Sequence, residues 1–201
     1  MHNKKYQLLI FDLDDTLFDY SQSEKNTINE ICNFFNIIDN DCYKKYKNAN
    51  KIAHEKIGVI DHSNINQFRE ERVELFLKSV NRNDINIQDF LTKYLDFSKK
   101  GCLISGVKET ISQIKNRYIV VATNGTFHPR YDKLMNSEIF SYVDKFYCSE
   151  HINFSKPSKD FFDYILQDYN ISNENILIIK LSLSDTISER TRPPFSSVHF
   201  L

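Results

Sequence analysis

Four short apolar segments, separated by helical patterns, constrain most strongly what this chain can fold into. Each is rich in Ile, Val, Leu or aromatic residues, and they span residues 6–12, 118–123, 145–150 and 175–181. None shows the strict alternation of a strand with one solvated face, which is typical of parallel strands that are covered on both faces. Amphipathic helical patterns lie between these segments, at 106–116, 128–140 and 158–170. Strands that alternate with helices predict an α/β fold with a parallel sheet.

Residues 17–103 interrupt this alternation, because they contain no convincing strand. Four amphipathic helical patterns occupy the interval, at residues 23–38, 41–57, 66–80 and 87–100. We therefore predict two domains, a sheet domain formed by residues 1–16 and 104–201 and a helical domain inserted at residues 17–103.

Composition excludes several classes of protein. The 201 residues are 41% apolar and carry a net charge of −1, which disfavours binding to a nucleic acid polymer or an anionic membrane. No apolar run approaches the length of a membrane span, and the first strand follows residues 1–5 too closely for a signal peptide. The four cysteines show no metal-binding spacing, so we expect reduced thiols and a cytoplasmic protein.

Polar residues with complementary chemistry follow the predicted strands. The first strand runs into Asp12 and Asp14, the second ends at Thr123 and Asn124, and Lys156 follows the third. Sites in open parallel sheets form beyond the carboxyl ends of the strands. Carboxylates there can hold Mg²⁺, whereas a hydroxyl, backbone amides and an ammonium can hold phosphate. The sequence thus predicts a phosphate site at this edge.

These motifs resemble those of the haloacid dehalogenase superfamily. The resemblance rests on Asp12-Leu13-Asp14-Asp15-Thr16, on Thr123 in "VVATNG" and on Lys156 in "FSKPSKDFF", in the family's order. It covers about residues 5–179 and is greatest to the capped, pyrimidine-type 5′-nucleotidases. It implies a Rossmann-like core, with the helical insertion in the position of the family's cap domain.

The resemblance also implies a role for each motif residue. Asp12 is the nucleophile, which forms an aspartyl-phosphate, and Asp14 is the general acid and base. Mg²⁺ is held by the Asp12 carboxylate and the Asp14 backbone carbonyl. Thr123, the Asn124 backbone amide and Lys156 hold the phosphoryl oxygens.

The fourth family motif, a strand followed by Gly-Asp-Ser, is altered here. Lys180 stands at the glycine position and Leu181 at the position of the metal-binding acid, and Asp185 is a candidate replacement ligand. Residues after Lys180 include no further lysine and no asparagine. Two explanations remain open: divergence with a short C-terminus, or a reading-frame change near Ile179.

The leading hypothesis is Mg²⁺-dependent hydrolysis of a nucleotide 5′-phosphate or another small phosphorylated metabolite. Two alternatives remain. One is a catalytically impaired member of the family that binds phosphate without turnover, which Leu181 supports. The other is a 2-haloacid dehalogenase, which Asp14 disfavours because a departing halide needs no proton. The sequence does not decide between a monomer and a dimer.

Overall fold

The computed structural model describes residues 6–60, 63–180 and 196–198. The chain divides into two compact units. A discontinuous unit is formed by Met1–Tyr20 and Gly101–Leu201, and a continuous unit by Ser21–Lys100.

The discontinuous unit contains a parallel sheet. Its strands are β1 (Leu8–Phe11), β2 (Tyr118–Thr123), β3 (Lys145–Cys148), β4 (Ile176–Ile179) and β5 (Ser196–Val198). Their order is β3-β2-β1-β4-β5, so β1 is the central strand. The predicted α/β fold with a parallel sheet is confirmed. The sequence pattern predicts no strand after β4, yet β5 continues the sheet by pairing parallel to β4.

Both faces of the sheet are buried, because successive side chains of a strand point to opposite sides. One face contributes Leu9, Phe11, Ile119 and Val121 to a hydrophobic cluster. The other face contributes Leu8, Ile10, Val120 and Ala122 to a second cluster. Coverage on both sides explains why the strands are continuously apolar in sequence. Each fully buried Leu, Ile or Val side chain stabilises the fold by roughly 1.5–3 kcal/mol relative to an exposed one.

In the described part of this unit, four α-helices follow or precede the strands: α5 (Val107–Gln113), α6 (Phe127–Met135), α7 (Ser149–Ile152) and α8 (Lys159–Leu166). Helix α8 begins where the sequence predicts, because the Ser158 side chain accepts a hydrogen bond from the Asp160 N–H. Its buried residues, Phe161, Phe162 and Ile165, cover the second face of the sheet.

The continuous unit is helical and is built by α1 (Tyr20–Phe34), α2 (Cys42–Ile57), α3 (Ile65–Ser79) and α4 (Ile87–Ser98). The discontinuous unit is called the sheet unit below, and the continuous one the helical unit. Tyr20, the first residue of α1, belongs to the sheet unit, and the rest of α1 belongs to the helical unit. Tyr46, Phe76 and Phe90 are fully buried in the core of the helical unit. Asn86 caps α4 by accepting hydrogen bonds from the Gln88 and Asp89 N–H groups. None of the helices in the described part of the chain is long and apolar enough to cross a bilayer.

The boundaries of the insertion differ from the predicted 17–103. Phe18 is fully buried in the sheet unit and forms an antiparallel bridge with Leu103. The Ile104 N–H donates to the Leu17 carbonyl at 3.0 Å. Because these two connecting segments pair with each other, both belong to the sheet unit, and the helical unit is Ser21–Lys100.

Candidate active site

The predicted site residues lie at the carboxyl ends of adjacent strands. Asp12 directly follows β1, and its N–H donates to the Ile179 carbonyl at the end of β4 at 3.0 Å. Thr123 is the last residue of β2 and is buried. The chain runs from β1 to β2 and β3 on one side of β1 and then crosses to β4 and β5 on the other side. The reversal places the topological switch point at the carboxyl end of β1.

Asp12 and Lys156 form a close ion pair. The Lys156 ammonium donates to Asp12 Oδ1 at 2.5 Å and to the Ala122 carbonyl at 2.8 Å. Asp12 Oδ1 also accepts from the Leu13 N–H at 2.9 Å. The two charged side chains are only 16% and 14% exposed. Burial lowers the pKa of Lys156, and the Asp12 carboxylate opposes that shift.

Asn124 fixes the backbone that carries Lys156. Its side-chain amide donates to the Lys156 carbonyl at 3.0 Å, and its Oδ1 accepts from the Lys156 N–H at 2.8 Å. The resemblance predicts a role only for the backbone amide of Asn124. The side chain explains how Lys156, 32 residues away in sequence, is held beside the end of β2.

The turn after β2 is held by side chains that were not predicted from the sequence. The Gly125 N–H donates to Ser149 Oγ at 2.7 Å, and the Phe127 N–H donates to Glu150 Oε2 at 2.7 Å. Gly125 has a φ of 113°, and a Cβ at this position would lie 2.6 Å from the Arg130 guanidinium. The positive φ favours glycine here, and a larger residue would also displace the Arg130 guanidinium.

Two cations on α6 approach Asp14, and neither was predicted from sequence. The Lys133 ammonium donates to Asp14 Oδ1 at 2.8 Å. The Arg130 Nε lies 3.6 Å from Asp14 Oδ2. The available signal was weak: two basic residues three positions apart on one helix, which usually indicates a solvated face.

Oxygen atoms of Asp12 and Asp14 are the candidate ligands for a cation at this site. The Asp12 carboxylate and the Asp14 backbone carbonyl offer oxygen ligands of the kind that Mg²⁺ prefers. The contacts that the Asp12 carboxylate makes within the described residues all involve Oδ1, so Oδ2 is available to a ligand. Within the same residues no group of three His, Cys, Asp or Glu side chains could hold a metal ion. The predicted third ligand, Asp185, and Leu181 lie outside the described residues.

The amino-acid sequence matches the model of a known protein family. The model for the haloacid dehalogenase-like hydrolases matches residues 9–190, which include all the described site residues. The chain belongs to the haloacid dehalogenase-like hydrolase family. The resemblance drawn from the Asp12, Thr123 and Lys156 motifs is thereby confirmed.

Two bacterial relatives of this haloacid dehalogenase-like hydrolase are similar over most of their length. YfnB of Bacillus subtilis (strain 168), a HAD-hydrolase by name, is 29% identical over 191 residues, which are 92% of this chain and 79% of YfnB. The pyrimidine 5′-nucleotidase PynA of Streptococcus pneumoniae (strain ATCC BAA-255 / R6) is 27% identical over 188 residues, 90% of this chain and 78% of PynA.

Solved structures share the fold. The crystal structure of B. subtilis YfnB bound to magnesium superposes with a TM-score of 0.76 at 27% identity, covering 96% of this chain and 86% of YfnB. The defluorinating L-2-haloacid dehalogenase Rha0230 superposes with a TM-score of 0.72 at 11% identity, covering 96% and 80% of the two chains. At that identity the second likeness shows the fold alone.

Proposed function

We propose that this hydrolase is a Mg²⁺-dependent phosphomonoesterase that acts through an aspartyl-phosphate on Asp12. The ion pair between Asp12 and Lys156 is the observation that carries the proposal. An anionic phosphate approaches a carboxylate nucleophile only if a positive charge offsets their repulsion. Lys156 supplies such a charge 2.5 Å from the nucleophile.

The residues support a two-step reaction. In the first step an Asp12 oxygen attacks phosphorus, the bond from phosphorus to the ester oxygen breaks, and Asp14 gives its proton to the departing oxygen. In the second step water attacks the phosphorus of the aspartyl-phosphate, and Asp14 accepts the proton of that water. Asp12 is then restored and inorganic phosphate is released.

The phosphoryl oxygens would be held by groups around Asp12. The Lys156 ammonium has three donor hydrogens, and Asp12 and the Ala122 carbonyl engage two of them. The third is available to a phosphoryl oxygen. The Thr123 hydroxyl, which now donates to the Asn124 carbonyl at 3.3 Å, and the Asn124 N–H are the other proposed donors.

The Asp12 carboxylate and the Asp14 backbone carbonyl would hold Mg²⁺, with Asp185 as the proposed third ligand. An ion bound there would supply positive charge that offsets the charge of the phosphate. The magnesium-bound structure of the relative YfnB supports this part of the proposal.

A nucleotide 5′-phosphate is the proposed substrate class, with other small phosphorylated metabolites as the broader set. The name of the relative PynA, a pyrimidine 5′-nucleotidase, supports this choice. We further propose a cytoplasmic enzyme whose partner is its small-molecule substrate, with no membrane or nucleic acid polymer. The four cysteines, all of which are free thiols, are consistent with a reducing compartment.

A second candidate is a protein of the same fold that binds phosphate but turns it over poorly. Lys180 favours this second candidate. Burial lowers the pKa of Lys156, and the positive charge of Lys180 lowers that pKa further, so Lys180 adds positive charge near Lys156. A cation near the proposed metal position opposes metal binding. Dehalogenation is less well supported, since it gives Asp14 no role.

The test measures release of inorganic phosphate from 4-nitrophenyl phosphate and from pyrimidine nucleoside 5′-monophosphates, with Mg²⁺ and with a chelator. The Asp12→Asn variant is the control for contaminating phosphatase. Turnover that requires both Asp12 and Mg²⁺ supports the enzyme. Phosphate binding without turnover in the unaltered chain supports the second candidate.

A further inference from the structure

Both carboxylate oxygens of Asp14 face cations of α6. Oδ1 accepts a hydrogen bond from Lys133 at 2.8 Å, and Oδ2 lies 3.6 Å from Arg130 Nε. This Nε is buried and makes no hydrogen bond among the described residues, so its interaction with Asp14 is purely ionic. Lys133 is thus the residue that fixes the direction of the Asp14 carboxylate.

Lys133 is itself held in place. It is 8% exposed, which is unusual for lysine. Its ammonium lies 5.6 Å from the centroid of the Phe18 ring. A Cβ at Gly101 would lie 2.5 Å from Lys133 Cγ and 2.4 Å from the Phe18 ring, so the lysine stem runs against a backbone that has no side chain. A side chain enclosed in this way has little rotamer freedom, so the position of the Lys133 ammonium is well defined.

Asp14, in contrast, stands on irregular backbone. It precedes Asp15, which has a positive φ of 56°, and it lies in a turn that returns to Phe18 by an isolated bridge. A carboxylate that transfers protons must point at the reacting oxygen, and a turn alone orients a side chain weakly. An enclosed cation on a neighbouring helix supplies the missing constraint.

We propose that Lys133 is a positioning residue that orients the Asp14 carboxylate for proton transfer at the ester oxygen, with Arg130 as a second, weaker contributor. The inference rests on the proposed phosphomonoesterase activity. In this proposal Lys133 acts through Asp14 and not by contact with the substrate.

The experiment compares Lys133→Met with Lys108→Met, a matched control in which an exposed lysine paired with Glu138 is lost. Each protein is assayed on an aryl phosphate with a good leaving group and on a nucleoside 5′-monophosphate, whose alkoxide needs a proton. A small displacement of a catalytic group can cost about 10²-fold in rate. We expect kcat on the alkyl ester to fall by roughly 10–10²-fold and kcat on the aryl ester by less than about threefold, with KM little changed. Lys108→Met should match the unaltered chain, and Lys133→Arg should recover part of the loss.

Three results would overturn the inference: equal losses on the two esters, a loss confined to KM, or a gain in turnover. If Lys133→Met does not fold, Gly101→Ala carries the same test, because it keeps every charge but displaces Lys133 Cγ or the Phe18 ring. Crystal structures give a readout that does not depend on turnover. A displaced Asp14 carboxylate in Lys133→Met supports the positioning role even if the unaltered chain is inactive, and an unmoved carboxylate refutes it.

Discussion

Replacing Asp12 by Asn separates the chemistry of the Asp12–Lys156 pair from its contribution to stability. The amide oxygen of Asn can still accept the hydrogen bonds that Lys156 and the Leu13 N–H now give to Asp12 Oδ1. A hydrogen bond to a charged group contributes about 1.5–3 kcal/mol, and a neutral one about half of that. Asn also leaves the buried Lys156 ammonium without an opposite charge, so we expect a loss of about 2 kcal/mol, or about 4–8 °C in Tm for a chain of this size.

Replacing Lys156 by Met has a larger expected cost. It leaves the Asp12 carboxylate, which is 14% exposed, with a backbone N–H as its remaining bond. Removing one partner of a buried pair costs about 3–5 kcal/mol, and the partial exposure of Asp12 places this case near the lower end. The double variant should be less destabilised than the sum of the two single variants, with a coupling energy of about 1–3 kcal/mol.

The assay combines thermal and urea unfolding of the four proteins with phosphate release from an aryl phosphate. Asp12→Asn should have no turnover above background although it remains folded, because an amide cannot attack phosphorus. Turnover retained in a preparation free of contaminating phosphatase would remove Asp12 from the nucleophile role. A coupling energy near zero would show that the ion pair with Lys156 does not form in solution.

Three further outcomes are expected. Asp14→Ala should slow hydrolysis of alkyl phosphates by about 10²–10⁴-fold and of aryl phosphates much less, which initial rates on the two esters would show; equal losses would exclude the acid role. The double substitution Lys180→Gly and Leu181→Asp should raise Mg²⁺ affinity, and a titration of activity against Mg²⁺ checks it; unchanged saturation would mean that the fourth motif functions as it is. Hydrogen bonds from Tyr147 and then Lys145 lower the pKa of Asp168 below its usual 3.8, so its stabilisation is present above that pH and is lost as pH falls through the lowered value. Unfolding measured between pH 6 and pH 2 should therefore show a shallower acid loss in Asp168→Asn than in the unaltered chain, and parallel curves would refute this.

The sheet and the Asp12–Lys156 part of the site were predictable because they depend on short-range pattern. Apolar runs such as Leu8–Phe11 that alternate with helical patterns are typical of parallel strands covered on both faces, and parallel strands bring their carboxyl ends to one edge. Lys156 was expected near Asp12 for that reason, and the structure places it there.

Other contacts could not be predicted, because they depend on how separate elements meet. Lys133 lies 119 residues from Asp14 in sequence, and its position on α6 resembles that of any exposed helical lysine. The ends of the helical unit, Ser21 and Lys100, differ from the predicted ends of the insertion for a similar reason. Phe18 reads as the start of a helical region, and only its pairing with Leu103 assigns it to the sheet unit.

The central place of β1 in the sheet has a consequence for synthesis of the chain on the ribosome. Leu8 pairs with Tyr118 on one side and with Ile176 on the other, so β1 is made first and acquires its neighbours last. Translation proceeds at about 5–20 residues per second, so β1 waits roughly 5–20 seconds for its first partner. During that interval a four-residue apolar strand has two unpaired edges, while the helical unit can already fold from local contacts. We expect nascent chains that end before residue 118 to be the forms of this protein that chaperones bind most strongly.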